Sequence, residues 1–230
     1  MLLGVCLVSR GTSRLRTLPR QILEVVLAVP LFLVTPLLRR WHLRWGARVE
    51  EVAAIMPGDE RLPIAQFNAT RAIDIAAPPE AVWPWLVQVG FGRAGFYSYD
   101  LLDSLGHPSA DDIRQEWQNL VVGSWVPMSP TPSETTAFRV ASFELNRWLL
   151  WAKPDSTWAW CLRPTSNGGT RLIARLRCFY DFRRPFLALF TVLLIEVGDF
   201  AMFRKMLLGI RDRAERQPEG HRAPAGGGQP

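Results

Sequence analysis

Residues 70–100, TRAIDIAAPPEAVWPWLVQVGFGRAGFYSYD, constrain this chain more than any other stretch, because they set out a strand, an abrupt turn, a helix and an aromatic, glycine-bearing loop in that order. In residues 70–75, Arg71, Ile73 and Ile75 fall on one face and Thr70, Ala72 and Asp74 on the other, the alternation of a half-buried strand. Pro78 and Pro79 stop it. Pro79 suits a first helical position, where its missing N–H costs nothing, and Glu80 then faces the positive end of the helix dipole. Val82, Trp85, Leu86 and Val89 recur at i, i+3, i+4 and i+7, while Pro84 removes one hydrogen bond and bends the rod. A short, kinked helix is expected.

Downstream, residues 99–105 read as a second helix. Residues 121–126, 136–143, 147–152, 157–163 and 170–180 read as strands, the last two joined by a hairpin at 165–169. In the last strand Leu172, Ala174, Leu176, Cys178 and Tyr180 share one face. Arg171, Arg175 and Arg177 share the other, and their parity places them on a solvated outer surface. Gly90, Gly92 and Gly95 are too irregular for a dinucleotide fingerprint, which needs a strand directly before it and a helix after.

The run into APPEAVWPWL, the antiparallel strands and a C-terminal helix resemble the START-like or SRPBCC superfamily of polyketide cyclases and dehydratases, lipid-transfer domains and plant allergen proteins. GRAGFYSYD (92–100), EWQNLVVGSWVPM (116–128) and GDFAMFRKMLLGI (198–210) look similar to a bacterial branch without a clear assigned activity. The resemblance implies an α+β helix-grip fold, an antiparallel sheet wrapped around a long C-terminal helix with an apolar ligand cavity between them. It implies a domain at residues 64–216. Residues 1–48 form a basic and apolar anchor segment before it, residues 49–63 a turn-rich linker, and residues 217–230 a Pro- and Gly-rich tail expected to be disordered.

The net charge of +6 is local. Residues 1–48 hold eight Arg and one acid, Glu24, a surplus that leaves the rest of the chain close to neutral. A nucleic-acid surface would place its cations on the folded domain, so no nucleic-acid partner is expected. Cys6, Cys161 and Cys178 show no metal-ligand spacing and His42, His107 and His221 are scattered, so neither a metal nor a cofactor is expected. A hairpin at 165–169 sets Cys161 opposite a residue near 173, and both domain cysteines read as small buried apolar groups.

Residues 22–38, ILEVVLAVPLFLVTPLL, carry one charge, Glu24, and are flanked by Arg14, Arg16 and Arg20 before and Arg39, Arg40, Arg44 and Arg48 after. The length sits at the lower edge of a spanning helix, and Trp41 and Trp45 fit an interfacial belt. The alternatives are a cleaved signal peptide, an interfacial anchor or a helix covering the domain; the run ends in Leu38, Arg39 and Arg40 rather than in a small-residue cleavage site, and its length and arginine flanks favour an uncleaved membrane segment. Arginines about equally numerous on both sides cancel the positive-inside bias and leave the orientation open, and free cysteines lean toward a cytoplasmic face for the domain.

Ten tryptophans are many for this length, and Trp117, Trp125, Trp151, Trp158 and Trp160 fall where helix and sheet enclose space, as cavity lining or as ordinary core. On the C-terminal helix Leu189, Leu193, Phe200, Phe203, Leu207 and Ile210 form a stripe that Glu196 interrupts. Asp199 lies three residues on, and Arg71, inward by parity, is a candidate partner for either acid. Alternatively, Gly198 breaks the helix and Asp199 caps a new one. Tyr97, Tyr99 and Asp100 follow the glycine-bearing loop, where the resemblance places a cavity mouth. The leading expectation is a membrane-associated domain binding a hydrophobic small molecule, a lipid or polyketide-like compound. One alternative is a cyclase or dehydratase-type enzyme using Glu196, Asp199, Tyr97 and Tyr99; the other is a membrane-tethered protein-interaction module.

Overall fold

The computed structural model describes residues 3–216 except 181, 184, 185, 187, 188, 190, 191 and 193, with side chains from residue 17 onward. Leu193 and the tail at 217–230 therefore lie outside the described residues. A long helix α1 (Leu3–Val34) runs through a 3-10 turn (Thr35–Leu38) into α2 (Arg39–His42), and a one-turn helix α3 (Val49–Ala53) follows. Then come β1 (Phe67–Ile75), α4 (Pro79–Val87), α5 (Asp100–Asp103), β2 (Trp125–Pro127), β3 (Ala137–Glu144), β4 (Trp148–Lys153), β5 (Ser156–Pro164) and β6 (Thr170–Cys178). A π-helical turn (Leu194–Gly198) leads into the last helix, α6 (Asp199–Glu215).

All six strands form one antiparallel sheet in the order β1-β6-β5-β4-β3-β2, so the first strand pairs with the last and α6 packs across the inner face. This is the helix-grip arrangement. The register sets Cys161 opposite Ile173, as the hairpin length predicts, and leaves both thiols free. The strand expected from residue 121 begins only at Trp125, because Gly123 turns the chain at φ +89° just before it.

The outer face corrects one expectation. Arg171 and Arg175 lie on it, as parity requires, yet both are buried under residues 46–63. Arg175 reaches the carbonyls of Glu51, Val52 and Ala54 at 2.8–3.0 Å, closing the C-terminal end of α3, and meets Asp59 at 2.6 Å. Arg171 makes a two-pronged pair with Glu51 at 2.8 Å and bonds the Gly46 carbonyl at 2.6 Å. Arg177 holds the Leu62 carbonyl. The edge of β1 is covered as well, its Thr70 and Ala72 amides donating to the carbonyls of Leu43 and Trp45. The segment at residues 43–63, between the N-terminal helix and β1, is thus bolted to the sheet.

A glycine sets how closely α6 approaches the loop after α4. A Cβ on Gly209 would stand 2.3 Å from the backbone oxygen of Tyr97, itself in the left-handed region at φ 56°. Gly209→Ala is therefore expected to destabilise the fold by about 1–3 kcal/mol despite alanine's better helix propensity. Urea unfolding checks this, and an unchanged or raised midpoint would contradict the close approach.

Candidate functional site

The inner face of the sheet is built in cross-strand rows. Trp151 on β4 stands opposite Trp158 on β5, and Trp160 lines up through Ala174 on β6 with Arg71 on β1. Trp158 and Trp160 stack at 5.0 Å between centroids, Trp151 meets both edge-on at 5.5 and 5.3 Å, and Phe203 of α6 closes over the pair at 4.9 and 5.5 Å. All four rings are buried. Among the described residues, the indole N–H groups of Trp151, Trp158 and Trp160 have no hydrogen-bond acceptor. The space between sheet and helix is thus filled by aromatic rings whose polar edges are unpaired.

Arg71 lies beside this cluster, fully buried, and its guanidinium meets the Asp199 carboxylate at 2.6 Å, with 8% of the acid's side chain exposed. It also donates to the His42 carbonyl at 2.9 Å and sits 5.2 and 5.0 Å from the rings of Phe200 and Phe203. Of the two acids weighed for Arg71, Asp199 is its partner. Glu196 instead takes a two-pronged contact from Arg39 at 2.9 and 3.0 Å and the Tyr180 hydroxyl at 3.1 Å. Asp199 makes no side-chain cap, and Gly198 carries the π turn into α6 rather than breaking it.

Tyr97, Tyr99 and Asp100 part company. The Tyr97 hydroxyl is buried between the Trp85 carbonyl and the Gln88 amide, at 3.1 and 2.9 Å. Tyr99 faces α1, with Phe32 at 5.8 Å and the Lys205 ammonium 4.1 Å above its ring. Asp100 accepts from Ser109 at 2.6 Å. Trp117 closes a 3-10 turn at the domain's side, and Trp125 lies under the Arg139 guanidinium at 3.6 Å; neither is in the aromatic cluster between sheet and helix. The structure brings Arg71, Asp199, Trp158 and Trp160 together and leaves the other six candidates elsewhere.

Asp103, which parity and spacing do not single out, is the most perturbed acid near α1. Burial, with Asp100 close by, pushes its carboxyl up to about 7; the Ser98 and Ser104 hydroxyls moderate the shift without closing a hydrogen bond. The folded chain therefore keeps a proton on Asp103 that the unfolded chain releases near the ordinary Asp value, so stability from this group is lost as pH rises toward 7. Asp103→Asn cannot ionise. It is expected to stabilise the protein by about 1–2 kcal/mol more at pH 8 than at pH 5. Equal gains at both pH values in paired melting curves would contradict the assignment.

Two open surface depressions stand outside the sheet–helix space. One lies at the turn end of the sheet between Pro79, Asn146 and Gly168; the other lies on the outer face between Leu62, Arg139 and Lys153. Sequence reasoning did not find His42 and Arg39, whose partners lie 29 and 157 positions away. It noted Trp151 for its place in a strand; the alternation of Trp148 and Trp151 with Leu149 and Leu150 did not show which face it occupies.

No protein-family model matches the chain, and no curated protein matches it. Among solved structures it is similar to a Polyketide_cyc-like protein of Corynebacterium glutamicum, at 19% identity and TM-score 0.41, covering 67% of this chain and 95% of that one. A Thermobifida fusca protein (16% identity, 65% and 93% covered, TM-score 0.42) and a Mesorhizobium loti protein (17%, 66% and 98%, 0.37) are similar to the same degree. Likeness of this order carries no argument about activity, and the fold rests on the sheet order and α6 themselves.

Proposed function

We propose that the protein is a membrane-anchored helix-grip domain that binds a hydrophobic small molecule, bearing a hydrogen-bond acceptor, between its sheet and α6. The observation that carries this reading is the set of three unpaired indole N–H groups in one buried aromatic cluster. A buried donor without a partner costs about 1–3 kcal/mol, and native interiors leave few of them. Three donors in an apolar surrounding suit a carbonyl, ester or hydroxyl oxygen on an otherwise apolar body, which would enter by parting the packed rings. Binding is favoured over turnover because Asp199, Tyr97 and Glu196 are each committed to a structural partner, which leaves no free acid among the described residues beside the cluster to move a proton.

The anchor reading rests on the helical stretch Thr17–His42, long and apolar enough by length and composition to cross a membrane, with 17% of its most apolar window buried in the domain. Ile22, Leu27 and Leu33 are among its exposed apolar side chains. Trp41 contacts Phe200, which in turn touches the Arg71 guanidinium, so the anchor ends beside the aromatic cluster.

Native mass spectrometry of the full chain in mild detergent, with extraction of what it retains, tests the reading. Replacing Trp151, Trp158 and Trp160 together by Phe keeps aromatic, apolar side chains at the three positions, with some loss of volume, and removes the donors. The parent is expected to carry an apolar compound that the triple variant loses. Retention of equal amounts by both, or none by the parent even after incubation with a total lipid extract, would refute the proposal.

A further inference from the structure

A second apolar surface lies outside both the anchor and the aromatic cluster. Phe182, Phe186 and Leu189, between β6 and the π turn, are 66, 87 and 58% exposed. They belong to a run in which residues 186–195, FLALFTVLLI, hold no charge. Ten such residues are too short to span a bilayer, and large side chains left this exposed mark a contact surface.

Its position names the partner. The run ends on Glu196, which the Arg39 contact ties to the C-terminal end of the anchor. There Leu37 is 83% exposed and Leu38 and Trp41 are also exposed, and Phe182 packs 6.2 Å from the ring of Tyr180, whose hydroxyl meets the same Glu196, so one corner of the second surface lies near the anchor's end. Arg40 and Arg44 are exposed at the same end, and Arg183 and Arg184 precede the run in sequence. An apolar surface bordered by arginines and a tryptophan is what the headgroup boundary of an anionic membrane accepts. We infer that the surface around Phe182, Phe186 and Leu189 is a second, interfacial membrane contact, seated in the leaflet that the C-terminal end of the anchor leaves. This rests on the reading of the anchor as inserted. It sets the end of the domain that carries Phe200 and Arg71 against the lipid, where an apolar ligand is most concentrated.

Depth-dependent quenching in vesicles of phosphatidylcholine and phosphatidylglycerol tests this on the full chain. A bimane label is placed singly through Leu27→Cys, Phe186→Cys or Arg147→Cys, with Cys6 and Cys161 replaced by Ser; Cys178 is buried, its thiol pushed up to about 12, and escapes labelling. All three positions are on the surface, so the labels disturb no core. Lipids doxylated at carbon 5 are expected to quench position 186 at least twofold more than those doxylated at carbon 12. Position 27 should show the reverse order and position 147, at the opposite end of the sheet, neither. Quenching at 27 with none at 186 above the level at 147 would overturn the inference and leave the anchor standing. No quenching at either would overturn both. A shielded but unquenched 186 that cross-links between copies would overturn the inference in favour of a self-association surface.

Discussion

A chain beginning at Met56 is expected to melt at a much lower temperature than one beginning at Arg39. From residue 17 to Val34 the apolar helix touches the domain through few contacts among the described residues, such as Glu24 with Lys205 at 2.6 Å and Phe32 with Tyr99. Residues 39–55 are different. They supply the carbonyls that cover β1, the His42 carbonyl for Arg71, the Glu51 carboxylate for Arg171 and three carbonyls for Arg175. Removing them uncovers the edge of β1 and takes Glu51 from Arg171, the His42 carbonyl from Arg71 and three carbonyls from Arg175, while Arg71 keeps Asp199 and Arg175 keeps Asp59; the loss of the Arg171–Glu51 pair alone, about 3–5 kcal/mol, is a large share of a domain's usual stability. Circular dichroism melts of the two chains check this. Cooperative melting of the Met56 chain within a few degrees of the Arg39 chain would show that residues 39–55 only decorate the sheet.

Asp199→Asn is expected to cost about 3–5 kcal/mol, because Arg71, with none of its surface exposed, would keep its charge and lose its one carboxylate. The His42 carbonyl and the faces of Phe200 and Phe203 remain and reduce the loss without neutralising it. Arg71→Met alone leaves a buried acid and should cost as much. Arg71→Met with Asp199→Leu removes both charges for groups of similar volume and should recover most of the loss, giving a coupling energy of about 2–3 kcal/mol in a double-mutant cycle. Glu196→Gln makes the contrast: its Arg39 contact is 44% exposed on the arginine side, so about 1 kcal/mol or less is expected. Additive single effects in urea unfolding would mean that Arg71 and Asp199 do not act as a pair.

Particular residues show how far the sequence carries. The inward placement of Arg71 follows from its parity with Ile73 and Ile75, because a strand's side-chain period is two whatever surrounds it. Which acid it meets does not follow. The stripe assumed an unbroken 3.6-residue period from Leu189 to Ile210, and the π turn at Leu194–Gly198 inserts a residue, turning Glu196 toward Arg39 while Asp199 stays under the sheet. Arg171 and Arg175 show the limit of parity in another way. Alternation separates two faces but does not say what covers them, and partners that are backbone carbonyls of a turn leave no periodic trace. Three arginines alternating on one strand, with Glu51 and Asp59 upstream, were the available signal. The aromatic cluster was half legible: Trp158 and Trp160 share a face by spacing, but only the packed structure shows their N–H groups unpaired.

The account turns on those donors, and each tryptophan indole N–H gives its own nitrogen–proton NMR cross-peak. In the nitrogen-15-labelled full chain in detergent, Trp-to-Phe variants assign the peaks of Trp151, Trp158 and Trp160. Titration with a long-chain fatty acid, a monoacylglycerol and a polycyclic aromatic ketone is then followed at all ten tryptophans. The account predicts that at least one compound moves these three peaks downfield as they gain an acceptor, while Trp125, on the outside under Arg139, stays in place. Saturable shifts confined to surface tryptophans, with the three interior peaks unmoved by every compound, would contradict a ligand site between the sheet and α6.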